Sequence, residues 1–229
     1  MINLNITIKL SGHVLFPSFN ISPNLKPYAE VIKKIKSMGH MPYIVIGGGE
    51  PARYYINIAR ENNADESTCD YIGISIANIN ARIFANLLGE DAYYFIPNNF
   101  QELDMAISSG KIVVMGGLQP GQSTNAVAAI VAERTKSKIL IITTNVDGIY
   151  TSDPKKDPQA KKYDLINIDE LIKILEEQGT KAGEYELLDS IALKIIKRSR
   201  ILTKVIDGSN PNNILRAFLN EKIGTTIIP

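Results

Sequence analysis

Short apolar runs alternate with amphipathic helical patterns along almost the whole chain, and this alternation restricts the possible folds more than any other sequence feature. Apolar runs at residues 4–10, 42–46, 111–115 and 139–143 predict strands, and the last two are rich in β-branched residues that suit strands buried on both faces. The segment 25–38 carries an apolar helical stripe and ends at Gly39. This alternation predicts an α/β fold, a three-layer α/β/α sandwich around a mainly parallel sheet.

The rest of the chain continues the same pattern. Further helices are predicted at residues 51–61, 68–88, 124–134, 168–178, 188–198 and 214–219, and further strands at residues 201–206 and 225–228. The most polar stretch, residues 152–162, predicts a loop that is too short to act as a flexible domain linker. We therefore expect one domain over the whole sequence.

The charge balance and the cysteine count exclude several classes of protein. Lys and Arg number 25 against 24 Asp and Glu, so the chain has no basic field for nucleic acid or for an anionic membrane. A single cysteine, Cys69, allows no internal disulfide. The first residues do not resemble a signal peptide, and no run approaches the roughly 20 apolar residues of a membrane span. We expect a cytoplasmic protein that binds neither nucleic acid nor membrane.

Three glycine-rich turns each follow a predicted strand. They are Lys9-Leu10-Ser11-Gly12, Gly47-Gly48-Gly49, and the loop from Gly116 to Thr124. Ligands of parallel sheets bind at the carboxyl ends of the strands, and glycines let backbone N–H groups approach an anion closely. The second and third turns also open helices, whose N-termini attract negative charge. One such turn is typical of a simple chain reversal, but three favour two phosphate sites, for a donor triphosphate and an acceptor phosphate.

The usual phosphate-binding signatures give one match. The sequence contains neither a G-x-x-x-x-G-K-[ST] loop nor the protein-kinase motif set. However, residues 47–52 fit G-x-G-x-x-[GA], and Asp65, Glu66 and Asp70 lie about 20 residues further on, where the dinucleotide fingerprint places a ribose-binding acid. A Rossmann-type NAD(P)-dependent oxidoreductase is therefore one alternative hypothesis. It explains neither the third turn nor the motif after residue 143.

That motif is Thr144-Asn145-Val146-Asp147-Gly148-Ile149-Tyr150-Thr151-Ser152-Asp153-Pro154. Asp147-Gly148 predicts a tight turn. The side chain of Asp147 is compatible with holding that turn and with orienting a metal ion or a lysine. Tyr150 can stack on a base, and Asp153, extended before a proline, can accept hydrogen bonds from a ribose or a base.

Taken together, these motifs resemble the amino acid kinase superfamily, and they are most similar to its archaeal-type UMP kinases. The resemblance rests on the first turn, the triple glycine with Arg53 four residues after it, the Gly-Gly-x-x-Pro-Gly-x-Ser-Thr loop and the motif that starts at Thr144. The segment Tyr185-Glu186-Leu187-Leu188-Asp189 also resembles the archaeal branch. The motifs follow one another in the right order and spacing from residue 4 to the end, and the Pro-Gly-Gln-Ser-Thr loop favours UMP kinase.

The resemblance implies the reaction UMP + ATP → UDP + ADP, with Mg²⁺, in pyrimidine nucleotide synthesis. It implies a single kinase domain over residues 1–229, with an N-terminal phosphoacceptor lobe at about 1–135 and a C-terminal ATP lobe at about 136–229. It also implies a homo-oligomer, commonly a homohexamer. Magnesium is expected to be held mainly by phosphate oxygens and water, and no residue is assigned as a metal ligand.

Matching positions imply the site residues. The ATP site would be formed by Lys9, Leu10, Ser11, Gly12, His13, Gly49, Arg53, Thr144, Asn145, Tyr150 and Asp153. The UMP site would be formed by Gly48, Asp70, Leu118, Gln119, Pro120, Gly121, Gln122, Ser123 and Thr124, with Asp70 on the ribose. The catalytic set would be Lys9, Arg53 and Asp147, with Lys9 at the transferring phosphoryl group. Lys194, on a later helix, is a further residue able to reach phosphate.

Some features of the sequence depart from the family or leave alternatives open. His13 stands where the first motif often has a small residue or a lysine, and it is compatible with a place near phosphates or at the surface. Isopentenyl phosphate kinases usually have a histidine shortly after the triple glycine, which the stretch Glu50-Pro51-Ala52-Arg53 lacks. That kinase, a carboxylate kinase of the superfamily and a non-catalytic nucleotide sensor remain alternatives. The presence of Lys9 and Arg53 argues against the sensor.

Overall fold

The computed structural model describes residues 3–20, 22–177 and 188–229. Within these ranges the strands are β1 (Asn5–Leu10), β2 (Met41–Ile46), β3 (Val113–Met115), β4 (Ile139–Thr144), β5 (Ile149–Tyr150), β6 (Lys162–Tyr163), β7 (Leu165–Asn167), β8 (Leu202–Asp207) and β9 (Thr225–Ile228). Seven of them form one sheet in the order β3-β2-β1-β4-β8-β9-β7, and β5 and β6 form a separate antiparallel pair. Every pairing in the large sheet is parallel except that between β8 and β9.

Helices cover both faces of this sheet. They are α1 (Gly12–Leu15), α2 (Lys26–Ser37), α3 (Gly49–Glu61), α4 (Glu66–Leu88), α5 (Phe100–Ser108), α6 (Thr124–Arg134), α7 (Ile168–Glu177), α8 (Ser190–Ser199) and α9 (Asn212–Phe218). One layer contains α2 with α4 and α9, and the other contains α6 with α8 and α7. All six residues of the central strand β4 are buried, as expected for a parallel strand covered on both sides. The predicted three-layer α/β/α fold is therefore confirmed.

The predicted elements match the observed ones to within a few residues, with some additions. The sequence did not predict α5, the 3₁₀ turn Gly89–Asp91, the β5–β6 pair or strand β7. The last residue predicted for α7 and the glycine that follows lie outside the described residues, as does most of the segment 185–189. The division into two lobes stays a prediction. Strands from both parts belong to one sheet, in which β1 pairs with β4.

Helix α4 corrects the expectation that no segment is apolar enough to span a membrane. By length and composition alone, Glu66–Asp91 passes that test, with a mean hydropathy of 1.2 in its most apolar window and 33% of that window buried. The helix packs on α2, α3, β2 and β3. It begins at an N-cap, where Thr68 N donates to the Asp65 carboxylate at 2.7 Å, and it carries Asp70 and Asn80 on surfaces that contact the protein.

The order of the strands places a crevice beside the carboxyl end of β1. The chain moves outward from β1 through β2 to β3 and then returns to the other side of β1 with β4. Such a reversal opens a crevice above the strands at the point where the connections diverge. The first, second and third glycine turns follow β1, β2 and β3, so the fold brings all three to this end of the sheet.

Candidate active site

The first and second glycine turns lie directly against each other. A Cβ atom built on Gly12 would be 2.1 Å from the backbone N of Gly49, and one built on Gly49 would be 2.5 Å from the carbonyl O of Gly12. Gly49 also has a φ of +67°, which residues with a side chain rarely adopt. Both positions therefore require glycine, and the two turns form one surface of closely spaced backbone.

Asn80 holds the second turn in place from helix α4. Its buried side chain donates through Nδ2 to the carbonyl oxygens of Gly47 and Gly48, each at 3.0 Å. These two bonds provide hydrogen-bond partners for the carbonyl oxygens of the turn. The sequence prediction missed this residue, because nothing in a single asparagine within a helical pattern indicates a partner 33 residues away.

Two cations, Lys9 and Arg53, flank the joined turns. Lys9 lies near the end of β1, and Arg53 lies in the first turns of α3, where a positive charge opposes the helix dipole. Neither forms a salt bridge with the described residues. Lys9 keeps some contact with solvent, yet burial lowers its pKa to about 8, against an opposing effect of the Asp189 carboxylate. Two cations without partners beside a glycine turn are the arrangement expected of an anion site.

Asp189 connects the region of Lys9 to the third turn. It is the N-cap of α8, where Oδ1 accepts hydrogen bonds from the backbone N of Ile191 at 3.0 Å and of Ala192 at 2.9 Å. Its Oδ2 accepts a hydrogen bond from the hydroxyl of Ser123, which is itself the N-cap of α6. In the sequence, Asp189 was identified only as part of a family motif, and no role was predicted for its carboxylate.

A cavity of about 200 Å³ opens beside the joined turns. Helices α3 and α4, the turn that begins α1, and the loop before α6 form its walls. Its lining residues are His13, Gly48, Gly49, Ala52, Arg53, Ile56, Asp70, Gly73, Ile74, Ala77, Gly117, Gln122 and Thr124. The structure thus brings together residues that the resemblance assigned to the ATP site (His13, Gly49, Arg53) and to the UMP site (Gly48, Asp70, Gln122, Thr124).

The far wall of the cavity carries groups suited to a sugar and a base. Asp70 accepts a hydrogen bond through Oδ2 from the backbone N of Gly121 at 2.8 Å, which ties α4 to the third turn. Gly73 and Ala77 lie one helical turn apart on α4, and their small size leaves space for a ligand along that wall. The Oε1 atom of Gln122 is buried without a hydrogen-bond partner among the described residues. A buried acceptor of this kind needs a partner, and a ligand in the cavity would supply it.

The other residues assigned to ATP are not among those that line this cavity. One group, Lys9 to Gly12, belongs to the first turn, and the other begins at Thr144, the last residue of β4, and continues after it with Asn145, Tyr150 and Asp153. The carbonyl of Thr144 accepts from the backbone N of Gly208 at 2.8 Å. Tyr150 donates through its hydroxyl to Asp147 at 2.5 Å, and Lys162 Nζ lies 3.3 Å from the same carboxylate. The hydrogen bond from Tyr150 is the main cause that lowers the pKa of Asp147. Partial burial opposes this effect, and the positive charge of Lys162 adds to it. The Asp153 carboxylate accepts from the backbone N of Lys155 at 3.0 Å.

Asp147 thus holds a lysine and a tyrosine of its own hairpin. No described contact joins it to Lys9, so its catalytic role stays a prediction, as do the other assigned roles. Within the described ranges there is no group of three or more His, Cys, Asp or Glu side chains arranged to hold a metal ion.

The acids that the dinucleotide fingerprint requires have other partners. Asp65 is the N-cap of α4, and Glu66 forms a bidentate pair with Arg60, with both N–O distances at 2.8 Å. Asp70, the third of them, contacts the glycine loop after β3 instead. The geometry is that of a site for two phosphate-bearing ligands, since the second turn is joined to the first and faces the third across the cavity.

Comparison with known proteins agrees with this geometry. The sequence model of the amino acid kinase family matches residues 6–207, and the chain belongs to that family. It is 43% identical over 227 residues to a uridylate kinase of Methanococcus vannielii, covering 99% of this chain and 100% of the relative. The crystal structure of uridylate kinase from Archaeoglobus fulgidus superposes with a TM-score of 0.85 at 38% identity, covering 97% of this chain and 99% of that one.

A more distant structure gives the same result. UMP kinase from Ureaplasma parvum superposes with a TM-score of 0.82 at 26% identity, over 100% of both chains. The resemblance to archaeal-type UMP kinases that the motifs indicated is therefore confirmed.

Proposed function

We propose that this chain is a UMP kinase, a phosphotransferase that uses ATP to convert UMP to UDP and releases ADP. The observation that carries the proposal is the pair of cations Lys9 and Arg53, which form no salt bridge with the described residues. They lie at two joined glycine turns beside a cavity that also contains Asp70. The relatives that share the whole chain length and are named uridylate kinase support the same reaction.

Phosphoryl transfer requires alignment and charge neutralisation more than covalent chemistry from the protein. A phosphate oxygen of UMP attacks the γ-phosphorus of ATP, a new P–O bond forms, and the bond to the β-phosphate oxygen breaks with its electron pair leaving on ADP. The joined turns bring the two phosphates together. Lys9 and Arg53 neutralise charge at the transferring group, which is the usual largest contribution of such a site.

The sugar and base of the acceptor would occupy the far wall of the cavity. Asp70 has a second carboxylate oxygen with which to accept hydrogen bonds from ribose hydroxyls. Gln122 offers its buried Oε1 to an N–H group, and uracil presents one at N3. A site that hydrogen-bonds its substrate through buried groups discriminates strongly against analogues that leave those groups unpaired.

The adenosine of ATP would be held by the residues after β4, including Asn145, Tyr150 and Asp153. Magnesium would be bound by phosphate oxygens and water, because the described residues provide no protein cage for it. When bound, the ion would neutralise part of the triphosphate charge.

A homo-oligomer, specifically a homohexamer, is proposed together with this function. Helix α4 exposes Tyr71, Ile79 and Ile83 with 65%, 54% and 46% of their surfaces accessible. These residues are spaced by multiples of four and share one face of the helix. An apolar face of this kind supports packing against a second copy of the chain. Location in the cytoplasm and a role in pyrimidine nucleotide synthesis are proposed from the reaction.

Coupled ADP release tests the function directly. With Mg-ATP as donor, we expect turnover on UMP at least about a hundredfold above CMP, because cytosine has no N–H group at N3 for Gln122. We also expect UMP to be preferred over dTMP, which lacks the 2′-hydroxyl, and over GMP, isopentenyl phosphate, carbamate and aspartate. A higher turnover on isopentenyl phosphate or on a carboxylate than on UMP would show that UMP is not the substrate. ATP binding without turnover on any acceptor would favour the nucleotide sensor, and NAD(P)H binding in place of ATP would overturn the assignment.

A further inference from the structure

His13 lies where the two proposed phosphate sites meet. It follows Gly12, whose backbone is in contact with the second turn, and its half-buried imidazole lines the cavity with Arg53. Within residues 3–20, 22–177 and 188–229, the His13 side chain forms no hydrogen bond. An imidazole placed between glycine turns and cations, with no protein partner, is available to a ligand.

Within the part of the chain that the structure describes, charged side chains surround His13 from three elements. Arg53 and Glu50 approach it from α3, Lys9 from β1, and Asp70 lies across the cavity on α4. Strand β4, which packs on α1, contributes only threonines at its nearby end. Burial, then Arg53, then Lys9 lower the pKa of His13, and Glu50 opposes them. The free imidazole is therefore neutral at pH 7, since its pKa lies below the ordinary value of about 6.5.

A bound phosphate would reverse this balance. A nucleoside monophosphate carries close to two negative charges at pH 7, because its second pKa is about 6. Placed between Arg53 and His13, that charge would oppose the effect of Arg53 and Lys9, the two cations that add to burial in lowering the pKa of the imidazole. The protonated form then gains a hydrogen bond to an ionised oxygen, which is stronger than a bond between neutral groups.

We propose that His13 is a third cationic group of the acceptor phosphate site and that it takes up a proton from solvent when the phosphate of UMP binds. The inference rests on the proposed function, because it requires UMP in this cavity. According to this proposal, His13 contacts the acceptor phosphate, whereas the family resemblance implies that His13 lies beside the ATP phosphates.

The chain provides its own internal control. Its two histidines are His13 and His40. His40 precedes β2, accepts a hydrogen bond at Nδ1 from the backbone N of Leu4, and packs on the ring of Phe218. Six residues of β1 separate the two ends of the sheet, so the imidazoles are roughly 20 Å apart at about 3.3 Å per residue.

The test is an NMR pH titration of the full chain with labelled histidine, alone and with saturating UMP, without ATP. We expect the pKa of His13 to rise by at least one unit with UMP, while the addition of UMP leaves the His40 signals unchanged. Calorimetry of UMP binding at pH 7.2 in two buffers of different ionisation enthalpy should show net proton uptake. That uptake should disappear in His13→Gln and persist in His40→Gln.

Each outcome decides the question. A rise in the His13 pKa with ADP but not with UMP would overturn the proposal in favour of a donor-side role. UMP binding with an unchanged His13 curve would overturn it and leave the UMP kinase function intact. A failure of the unmodified chain to bind UMP would remove the proposed function as well as this inference. Inorganic phosphate, as a second probe, should shift His13 in the same direction.

Discussion

The positive charge of Lys9 is costly to bury, and the proposed contact with a phosphoryl group would explain its position. The strand that carries it pairs with β2 and β4, and Lys9 lies opposite Val45 and Ile142. Its partly buried ammonium group faces the Asp189 carboxylate without a salt bridge. A charge held in this way is poorly solvated before the substrates bind and is therefore ready to interact strongly with a phosphoryl group.

The lowered pKa of Lys9 predicts an alkaline limit to activity. Since its pKa is about 8, the amine is protonated at pH 7 and loses its charge as the pH rises through 8. We expect kcat/KM for ATP, which reports the free enzyme, to fall above about pH 8. Lys9→Arg should move this limit to higher pH, because a guanidinium stays charged, and Lys9→Ala should lower kcat by about 10²–10³-fold.

The measurement is a pH–rate profile for each variant. An alkaline limit at the same pH in Lys9→Arg would show that another group titrates there.

Asp70 predicts a selective effect on the acceptor. Asp70→Asn keeps an oxygen for the Gly121 N–H group but removes the charge, so we expect KM for UMP to rise roughly 10-fold or more, as for loss of a hydrogen bond to a charged group. KM for ATP should stay within about twofold. Asp65→Asn is the matched control on the same helix, because asparagine also serves as an N-cap. Equal increases in both KM values would place Asp70 in a structural role.

At the scale of elements, the joined turns are the most tightly constrained part of the molecule. A methyl group on Gly12 would overlap the backbone of Gly47 and Gly49. No side-chain rotation can relieve an overlap with backbone, so the two turns would have to separate. Because Lys9 and Arg53, the proposed catalytic cations, lie on either side of these turns, a small separation would change the distance over which the phosphates are aligned.

Gly12→Ala should therefore lower both stability and activity. We expect a loss of about 1–3 kcal/mol in the free energy of unfolding and a fall in kcat of at least about 100-fold, measured by urea denaturation and coupled ADP release. Gly39→Ala is the control: its φ is +87° but its side-chain space is open, so it should cost about 1 kcal/mol and leave kcat unchanged. Full activity in Gly12→Ala would contradict the proposed role of the joined turns.

At the scale of the whole molecule, the apolar face of α4 predicts assembly. Ile79→Glu should shift the mass measured by light scattering from an oligomer to a smaller species, because a buried unpaired carboxylate is strongly unfavourable. Leu219→Glu, at a residue that is 52% exposed beyond α9, should leave the mass unchanged. A monomeric unmodified chain would contradict the proposed oligomer while leaving the reaction untouched.

Much of this architecture could be predicted from the sequence, because strand and helix patterns and turn residues are local properties. Helix α5 was missed although a signal was present: Asn99 caps it by accepting from Glu102 N at 2.9 Å, and Glu102 accepts from Asn98 N at 2.8 Å. This is the spacing of a capping box. The antiparallel direction of β9 could not be predicted, since alternation alone does not fix the direction of a last strand.

In the candidate site, too, the motifs could be read from the local sequence, whereas the contacts between residues far apart in the sequence could not. The glycine turns and their cations were visible as motifs. The contacts that join them were not, because Asn80 reaches Gly47 over 33 residues and Asp189 reaches Ser123 over 66. Long-range hydrogen bonds of this kind have no periodic pattern in the sequence.

The hydrogen bond between Ser123 and Asp189 joins the N-caps of α6 and α8. One cap belongs to the loop expected to hold the acceptor, and the other lies beside the lysine expected to meet the donor. Movement of either loop on binding must stretch or relax that bond, so the first substrate to arrive alters the free energy with which the second one binds. We expect the enzyme to show synergism between its substrates, with each Michaelis constant depending on the concentration of the other substrate.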